Sequence, residues 1–288
     1  MALSEGLLFA LAFWGLLAAT VVYAVHLLTQ RRWTNWLATG LALAVFMVQA
    51  GGLAARGLRA ARWPLADVYE FALAFVAATV LAWLLLERWT RTRAGGAFAL
   101  GIALLLDCYP ILRVPAARRV TRPLVPALRS PWLPLHVGTA VLAYGAFAVA
   151  AGAALLVLVR WAVERRCERL MLPAVLPETG VWPDADVCDN ALYRAVVLGY
   201  PWMTLALLCG AIWAQMAWGR YWNWDIKETW SLIIWLIYTL FLHLRLMRGW
   251  RGPRLALVAL AGFGTVLFTL WGVSWLARTV GLQSLHVY

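Results

Sequence analysis

The sequence predicts an all-α protein, a polytopic membrane helix bundle of about eight transmembrane helices with a Trp-rich loop. The first observation is composition, because 64% of the 288 residues are apolar and only 13% are charged. The second is length, since several apolar runs exceed the roughly 18–20 residues that cross a ~30 Å hydrocarbon core. The third is a cluster of tryptophans between two of these runs, in segment 213–235.

The apolar runs define eight predicted spans, at residues 6–29, 36–55, 68–88, 95–112, 132–160, 192–214, 230–247 and 255–276. No basic region precedes the first run and no small-residue cleavage site follows it, so we expect a retained span rather than a signal peptide. The connection 161–191 has a charged first half and an acidic, Pro-containing second half. That pattern predicts a short amphipathic helix followed by coil.

Segment 213–235 is the most informative stretch of the chain. Between two apolar runs it holds Trp218, Tyr221, Trp222, Trp224, Asp225, Lys227, Glu228 and Trp230. Trp218 and Trp222 share one face if that part of the chain is helical. Asp225 and Glu228 have the spacing of a capping box, which predicts the start of a helix there.

Indole rings beside a few polar groups suit a flat, apolar, partly anionic ligand. Haem is such a ligand, because its porphyrin faces favour aromatic contact and its iron favours imidazole. The alternative is an aromatic belt at the membrane interface, where Trp and Tyr collect whatever the protein does. In that interpretation Asp225 is only a helix cap.

The stretch WGRYWNWDIKETW (218–230) resembles the WWD signature of haem-handling proteins, in the version found in the CcsA/ResC family of System II cytochrome c biogenesis. Segments that resemble further family segments, in the family's order, are PLADVYEF (64–71), PALRSPWLPLHV (126–137), DNALYRAVVLGYP (189–201) and LHVY (285–288). The resemblance implies a single transmembrane cytochrome c assembly (WWD) domain over residues 1–288, with 213–235 as the WWD segment. Two departures are Ile226, where the family commonly has Pro, and Gln215-Met216 before the Trp-rich stretch.

The four histidines fall at two depths. His136 lies about 6 Å inside the start of span 5 by the helical rise, and His286 follows span 8, so both are predicted on the side of the Trp-rich segment. His243 is 18 residues after Asp225, or about 27 Å along a helix, and is predicted near the other side. His26 ends span 1 on that same side. A lone histidine at either boundary is otherwise an ordinary interfacial residue.

The resemblance assigns roles to these histidines. It implies that His136 and His286 are axial ligands of haem iron at the outer site, and that His243 belongs to an inner haem site. An ungapped match places Gln283, rather than His286, at the family's C-terminal ligand position. A partner protein is expected to complete the inner site, and His26 is a further candidate for that place.

The remaining charged residues have weaker assignments. Glu70, next to Tyr69 in a family-like motif, is expected either to pair with a nearby arginine or to be solvated. Loop 113–129 carries five arginines and no acid, so lipid headgroups, haem propionates or an acidic partner are its candidate ligands. Asp189 and Arg194 are expected to mark the inner end of span 6.

Charge and cysteine usage limit the classes of function. The net charge of +12 comes from 24 arginines and one lysine against 13 acids, but these arginines lie at span ends and in short loops, so we expect a lipid bilayer and no nucleic acid as partner. The connections on one side carry 14 Lys and Arg against 11 on the other. The positive-inside rule therefore places both termini and the Trp-rich segment outside a bacterial cytoplasmic membrane. The four cysteines form no CxxC or CxxCH, so the chain is not expected to carry covalent haem or to exchange thiols.

The resemblance implies a function in cytochrome c maturation. Non-covalent haem b would cross the membrane from the His243 side and be held at the WWD segment for attachment to the CxxCH of an apocytochrome c. The implied partners are a ResB/CcsB-type membrane protein, the apocytochrome and a thioredoxin-like thiol reductant. No general-base constellation is visible, so the chain alone is not expected to be a complete synthase. The alternatives are a haem-delivery module without transport, a transporter of another organic anion, and a membrane regulator of tetrapyrrole synthesis.

Overall fold

The computed structural model describes residues 5–121, 123–124, 128–169, 183–273, 275 and 279. Within these ranges all regular structure is helical. The helices are α1 (Glu5–Thr29), α2 (Arg32–Ala60), α3 (Val68–Thr90), α4 (Gly96–Leu112), the single turn α5 (Ala116–Arg119), α6 (Trp132–Arg169), α7 (Ala185–Trp218), α8 (Ile226–Leu246) and α9 (Pro253–Leu267), which continues into a π-helical turn (Phe268–Gly272).

Seven of the described helices are long and apolar enough to cross a membrane, and α4, at 17 residues, is a shorter apolar helix. The predicted polytopic helical bundle is therefore confirmed, and each predicted span corresponds to one helix, of which the fourth is the short α4. The boundaries differ where polar turns continue the helix. α6 runs without a break to Arg169, and α7 begins at Ala185 rather than near residue 192.

α6 is the centre of the bundle and packs against α3, α4, α7 and α9. Its small residues permit this, because they let neighbouring backbones approach closely. A Cβ atom at Gly145 would lie 2.6 Å from the carbonyl carbon of Ala78 in α3, and one at Gly152 would lie 2.7 Å from the backbone nitrogen of Ala99 in α4. Both glycines are therefore points of backbone-to-backbone contact.

The helix connections define two ends of the bundle. We call the Trp face the end at which α2, α4 and α7 finish and α3, α6 and α8 begin, and the other end the opposite face. At the opposite face, Asp189 accepts hydrogen bonds from Arg245 and from the backbone N–H of Gly252. Asp189 thereby ties the start of α7 to the turn between α8 and α9, a role that its position in the sequence does not indicate.

A buried ion network joins helices at the Trp face. Glu70, fully buried at the start of α3, accepts from Arg56 at 2.9 Å and from Arg62 at 2.7 Å. Arg56 also pairs with Glu5 of α1 at 2.7 Å. Of the two predicted environments of Glu70, pairing with a nearby arginine is the one confirmed. The network fixes the 61–67 connection, part of which borders the cavity described next.

Candidate functional site

A cavity of about 1050 Å³ lies at the Trp face. Its wall comes from α3, the end of α4 and the loop after it, the first turns of α6, the last turns of α7, the 219–225 connection, the start of α8 and the turn after α9. Most lining side chains are apolar or aromatic, and the volume is at the upper end of the roughly 300–1,000 Å³ range of small-molecule and cofactor sites. The cavity therefore has the size and character of a site for a large flat ligand.

His136 lies on this wall, one turn into α6. Its Nδ1 donates a hydrogen bond to the carbonyl oxygen of Ala206 at 2.8 Å, and its ring stacks on Trp213 with 5.8 Å between ring centroids. Because a carbonyl can only accept, this bond places the ring proton on Nδ1 and the lone pair of the neutral imidazole on Nε2. A metal-ligating histidine usually donates the N–H of its other ring nitrogen to a carbonyl or carboxylate oxygen in this way.

The Trp-rich segment is not one continuous helix. α7 ends at Trp218, where Gly219 takes a left-handed backbone conformation (φ 75°), and α8 begins at Ile226. Trp218 and Trp222 therefore do not share a helical face, because the helix on which that prediction depended stops between them. Trp224, also left-handed (φ 55°), directs the chain into α8.

The predicted capping box at the start of α8 is confirmed. The Asp225 carboxylate accepts from the backbone N–H of Lys227 at 2.9 Å, and Glu228 accepts from the backbone N–H of Asp225 at 3.2 Å. Glu228 also accepts from the backbone N–H of Asn223 at 2.8 Å. Asp225 thus begins the helix, and Glu228 holds the preceding turn against it.

The aromatic residues of the segment divide into cavity wall and support. Tyr221 and Trp222 line the cavity. Trp218 packs edge-on against the buried Trp213, 4.8 Å between centroids, and Trp230 packs on Phe268. Trp224 is 70% exposed and touches the cavity only through Trp222.

Three further tryptophans line the cavity, and they were not among the site residues proposed from the sequence. Trp213 lies at the end of α7, and Trp271 and Trp275 follow α9. Trp271 packs against Tyr109 of α4, with 4.8 Å between centroids and 38° between the ring planes. The sequence signal for Trp271 and Trp275 is their spacing of four at the outer end of the last span. An interfacial aromatic belt gives the same signal.

Among the described residues, the charged groups that line the cavity are three cations and two anions, namely Arg62, Asp67, Arg113, Lys227 and Glu228. Arg62 and Asp67 belong to the Glu70 network. In loop 113–129, Arg119 and Arg129 donate to backbone carbonyls of the same region, which leaves Arg113 as the described arginine of that loop at the cavity. The lining is thus weakly cationic.

The other histidines lie apart from the cavity or outside the described residues. His26 is buried at the end of α1, where its Nδ1 lies 2.9 Å from the hydroxyl oxygen of Thr34. His243, near the end of α8, is exposed. Both are at the opposite face, as predicted from their depth. His286 and Gln283 fall outside the described residues, so His136 is the one predicted outer ligand that can be placed.

The fold and the cavity define the class of protein. It is a multi-pass membrane protein with a Trp-lined cavity at one end and an imidazole on the cavity wall. Comparison with known proteins gives the family. Residues 65–280 match the family model described as cytochrome C assembly protein. The chain belongs to this family, in agreement with the CcsA/ResC resemblance of its motifs.

The similar proteins include cytochrome c biogenesis proteins CcsA from cyanobacteria and from an alga. The chain is 33% identical to the protein from Gloeobacter violaceus, over 96% of this chain and 94% of that protein. It is 36% identical to the protein from Synechococcus elongatus over 85% of each chain. It is 32% identical to the protein from Porphyra purpurea, over 95% of this chain and 94% of that protein. The coverage supports a role in cytochrome c biogenesis for the chain as a whole.

Proposed function

We propose that the Trp-face cavity binds haem b non-covalently and that His136 supplies one axial ligand to its iron. The observation that carries this proposal is the environment of His136. Its Nδ1 proton is held by the Ala206 carbonyl, and its ring is held flat against Trp213 on the wall of a cavity of about 1050 Å³. The imidazole is thus preorganised with its basic nitrogen at Nε2, and the surrounding indoles offer apolar contact for porphyrin faces.

The second axial ligand of this proposal is His286, with Gln283 as the competing position. Segment 213–235, the WWD segment of the proposed single domain, would then supply the shelf on which the porphyrin lies. Tyr221 and Trp222 belong to that shelf because they line the cavity. The other predicted residues would support the wall indirectly: Trp218 packs on Trp213, Trp230 on Phe268 and Trp224 on Trp222. Asp225 sets the start of α8.

Transport of haem across the membrane is the second part of the proposal. His243 would meet haem near the opposite face, with His26 or a histidine of a ResB/CcsB-type membrane partner as the other ligand. The exposure of His243, which follows the long apolar middle of α8, supports a partner there, because an ionisable side chain facing lipid is costly. In this arrangement both termini and the WWD segment lie outside the bacterial cytoplasmic membrane.

This chain would contribute to covalent attachment by positioning the haem relative to the thiols of the apocytochrome. The cavity would hold haem with a fixed edge towards the CxxCH of an apocytochrome c, whose thiols a thioredoxin-like protein keeps reduced. Holocytochrome c synthase activity is accordingly assigned to the complex with the partner rather than to this chain alone.

Absorption spectra of the purified protein test the haem site. We expect a low-spin haem spectrum for the wild type, its loss on His136→Ala or His286→Ala, and its retention on His26→Ala. The same series of wild type and three variants is repeated with the membrane partner present. Unchanged spectra in both outer variants, with the proteins folded, would show that these histidines do not ligate iron. A wild-type protein without any Soret band would favour transport of another organic anion.

One observation favours the alternative of haem delivery without transport. His243 lies about 27 Å along α8 from Asp225 by the helical rise, and it is not among the residues that line the cavity. If the chain only delivers haem, His243→Ala leaves haem loading of the outer site unchanged in cells. If it transports haem, the same variant reaches the membrane in normal amount but carries less haem.

A further inference from the structure

We infer that Lys227, with the indole N–H of Trp222, forms a subsite of the Trp-face cavity that recognises a carboxylate of the bound ligand. This inference rests on the proposed function and adds to it the group that orients the ligand.

The first observation is the environment of Lys227. It is the second residue of α8, it lines the cavity and it is partly buried. Among the described residues no carboxylate oxygen lies within the 4.0 Å limit of an ion pair from its ammonium group. The nearby Asp225 carboxylate attracts this ammonium but does not form an ion pair with it, so the partly buried charge is only partly compensated. An anionic group in the cavity would supply a direct contact.

The second observation is independent of Lys227. Within the described part of the chain, the Nε1 atom of Trp222 and the Oε1 atom of Glu228 are buried and have no hydrogen-bond partner. Both residues line the same cavity as Lys227, and Glu228 follows Lys227 directly in the chain. Buried polar atoms in native proteins usually have partners. The Trp222 N–H is therefore an unused donor of the described chain, whereas Glu228 Oε1 is an acceptor and does not itself favour an anion.

The types of atom define the ligand. The Lys227 ammonium and the Trp222 indole only donate hydrogen bonds, so the matching group is an acceptor. The first backbone N–H groups of α8 are already used by the Asp225 cap, which leaves recognition to the side chains. The negative charge of Glu228 disfavours a dianion such as phosphate, so a singly charged carboxylate is the better match.

Position distinguishes Lys227 from the other cations of the cavity. Arg62 is committed to Glu70 at 2.7 Å, and Arg113 is exposed, where solvent and salt weaken its attraction for an anion. Lys227 lies at the base of the Trp-rich segment. A carboxylate held there would stop a flat ring system from rotating about the axis through its centre. Axial ligation alone leaves that rotation free.

Porphyrin binding tests the subsite without the iron. The full-length protein in detergent is titrated with protoporphyrin IX and with its dimethyl ester, which has the same ring but no free carboxylate. We expect wild type to favour the free acid about tenfold, the size of one charge-assisted hydrogen bond. Lys227→Met should remove the preference while leaving the affinity for the ester unchanged, and Lys227→Arg should restore part of it. Trp222→Phe should reduce the preference by a smaller factor.

Arg220→Met is the matched control, because it removes a charge from an exposed position of the same segment. It should keep the wild-type preference. Lys227 is also the only lysine of the chain, so an amine-selective reagent followed by peptide mapping reports on it alone. Protoporphyrin IX should protect Lys227 from the reagent, and the dimethyl ester should not.

The outcomes separate the two proposals. A folded Lys227→Met protein that still favours the free acid as wild type does would overturn the subsite. Porphyrin binding with the expected preference, but without a low-spin spectrum on addition of haem, would support the subsite and refute the proposal that His136 and a second histidine ligate the iron together. Binding of neither porphyrin to wild type would refute both.

Discussion

Gly210 of α7 lies against the ring of His136, and replacing it with alanine tests the role of that ring without changing any proposed ligand. A Cβ atom at Gly210 would lie 2.7 Å from Nδ1 and 2.8 Å from Cε1 of His136. Ordinary contact begins at 3.4 Å, so the ring must move by about 0.7 Å, the difference between these distances. Its hydrogen bond to Ala206 and its stack on Trp213 hold the ring where it is.

The magnitude follows from those contacts. Losing the alignment of one hydrogen bond that orients the imidazole costs about 0.5–1.5 kcal/mol, which lowers haem affinity about two- to tenfold. Overpacking costs a further 1–3 kcal/mol or so of stability, and the better helix propensity of alanine offsets roughly 0.5–1 kcal/mol of it. The Gly210→Ala protein should therefore fold, but bind haem more weakly and with an altered low-spin spectrum.

The assay is a haem titration followed by absorption, together with thermal unfolding in detergent. Gly199→Ala is the first control, since its Cβ would lie 2.8 Å from Phe147 and perturbs the contact between α6 and α7 away from His136. Gly264→Ala is the second, because no atom lies within 4 Å of its Cβ position. Wild-type affinity and spectrum in Gly210→Ala, or an equal loss in Gly199→Ala, would refute the argument that His136 is a positioned ligand.

Three further predictions concern the helix framework and its orientation in the membrane. Glu70→Ala leaves the buried Arg56 without its closest partner in α3 and should lower the free energy of unfolding by about 3–5 kcal/mol. Asp186→Asn is the control, because it breaks an exposed ion pair and should leave the unfolding temperature nearly unchanged. Equal shifts in the two variants would contradict the buried network. Asp225→Ala removes the cap of α8 and should cost about 1 kcal/mol, measured by thermal unfolding, and should weaken haem binding because the Trp222 turn loosens. Cys167, at the end of α6, should react with a membrane-impermeant maleimide only after cells are permeabilised, and labelling of intact cells would reverse the proposed orientation.

The sequence alone determined the features that depend on local chemistry. Transfer of apolar side chains into lipid is a property of each run, so the eight spans follow from composition and length. The capping box at Asp225 is a contact between residues three apart and is visible in the same way. The depth of His136, His26 and His243 follows from the helical rise, and the described helices place all three at the expected ends.

Only the tertiary structure decided which side chains meet. Trp213, Trp271 and Trp275 line the cavity while Trp224 faces outwards, and that depends on how each helix is rotated about its axis. Hydropathy carries little information on this rotation in a protein whose helices are apolar on many sides. The pairing of Glu70 with Arg56, the contact of Gly210 with His136 and the position of Lys227 on the cavity wall have the same origin. Each joins segments that are distant in sequence, and helix packing sets their distances.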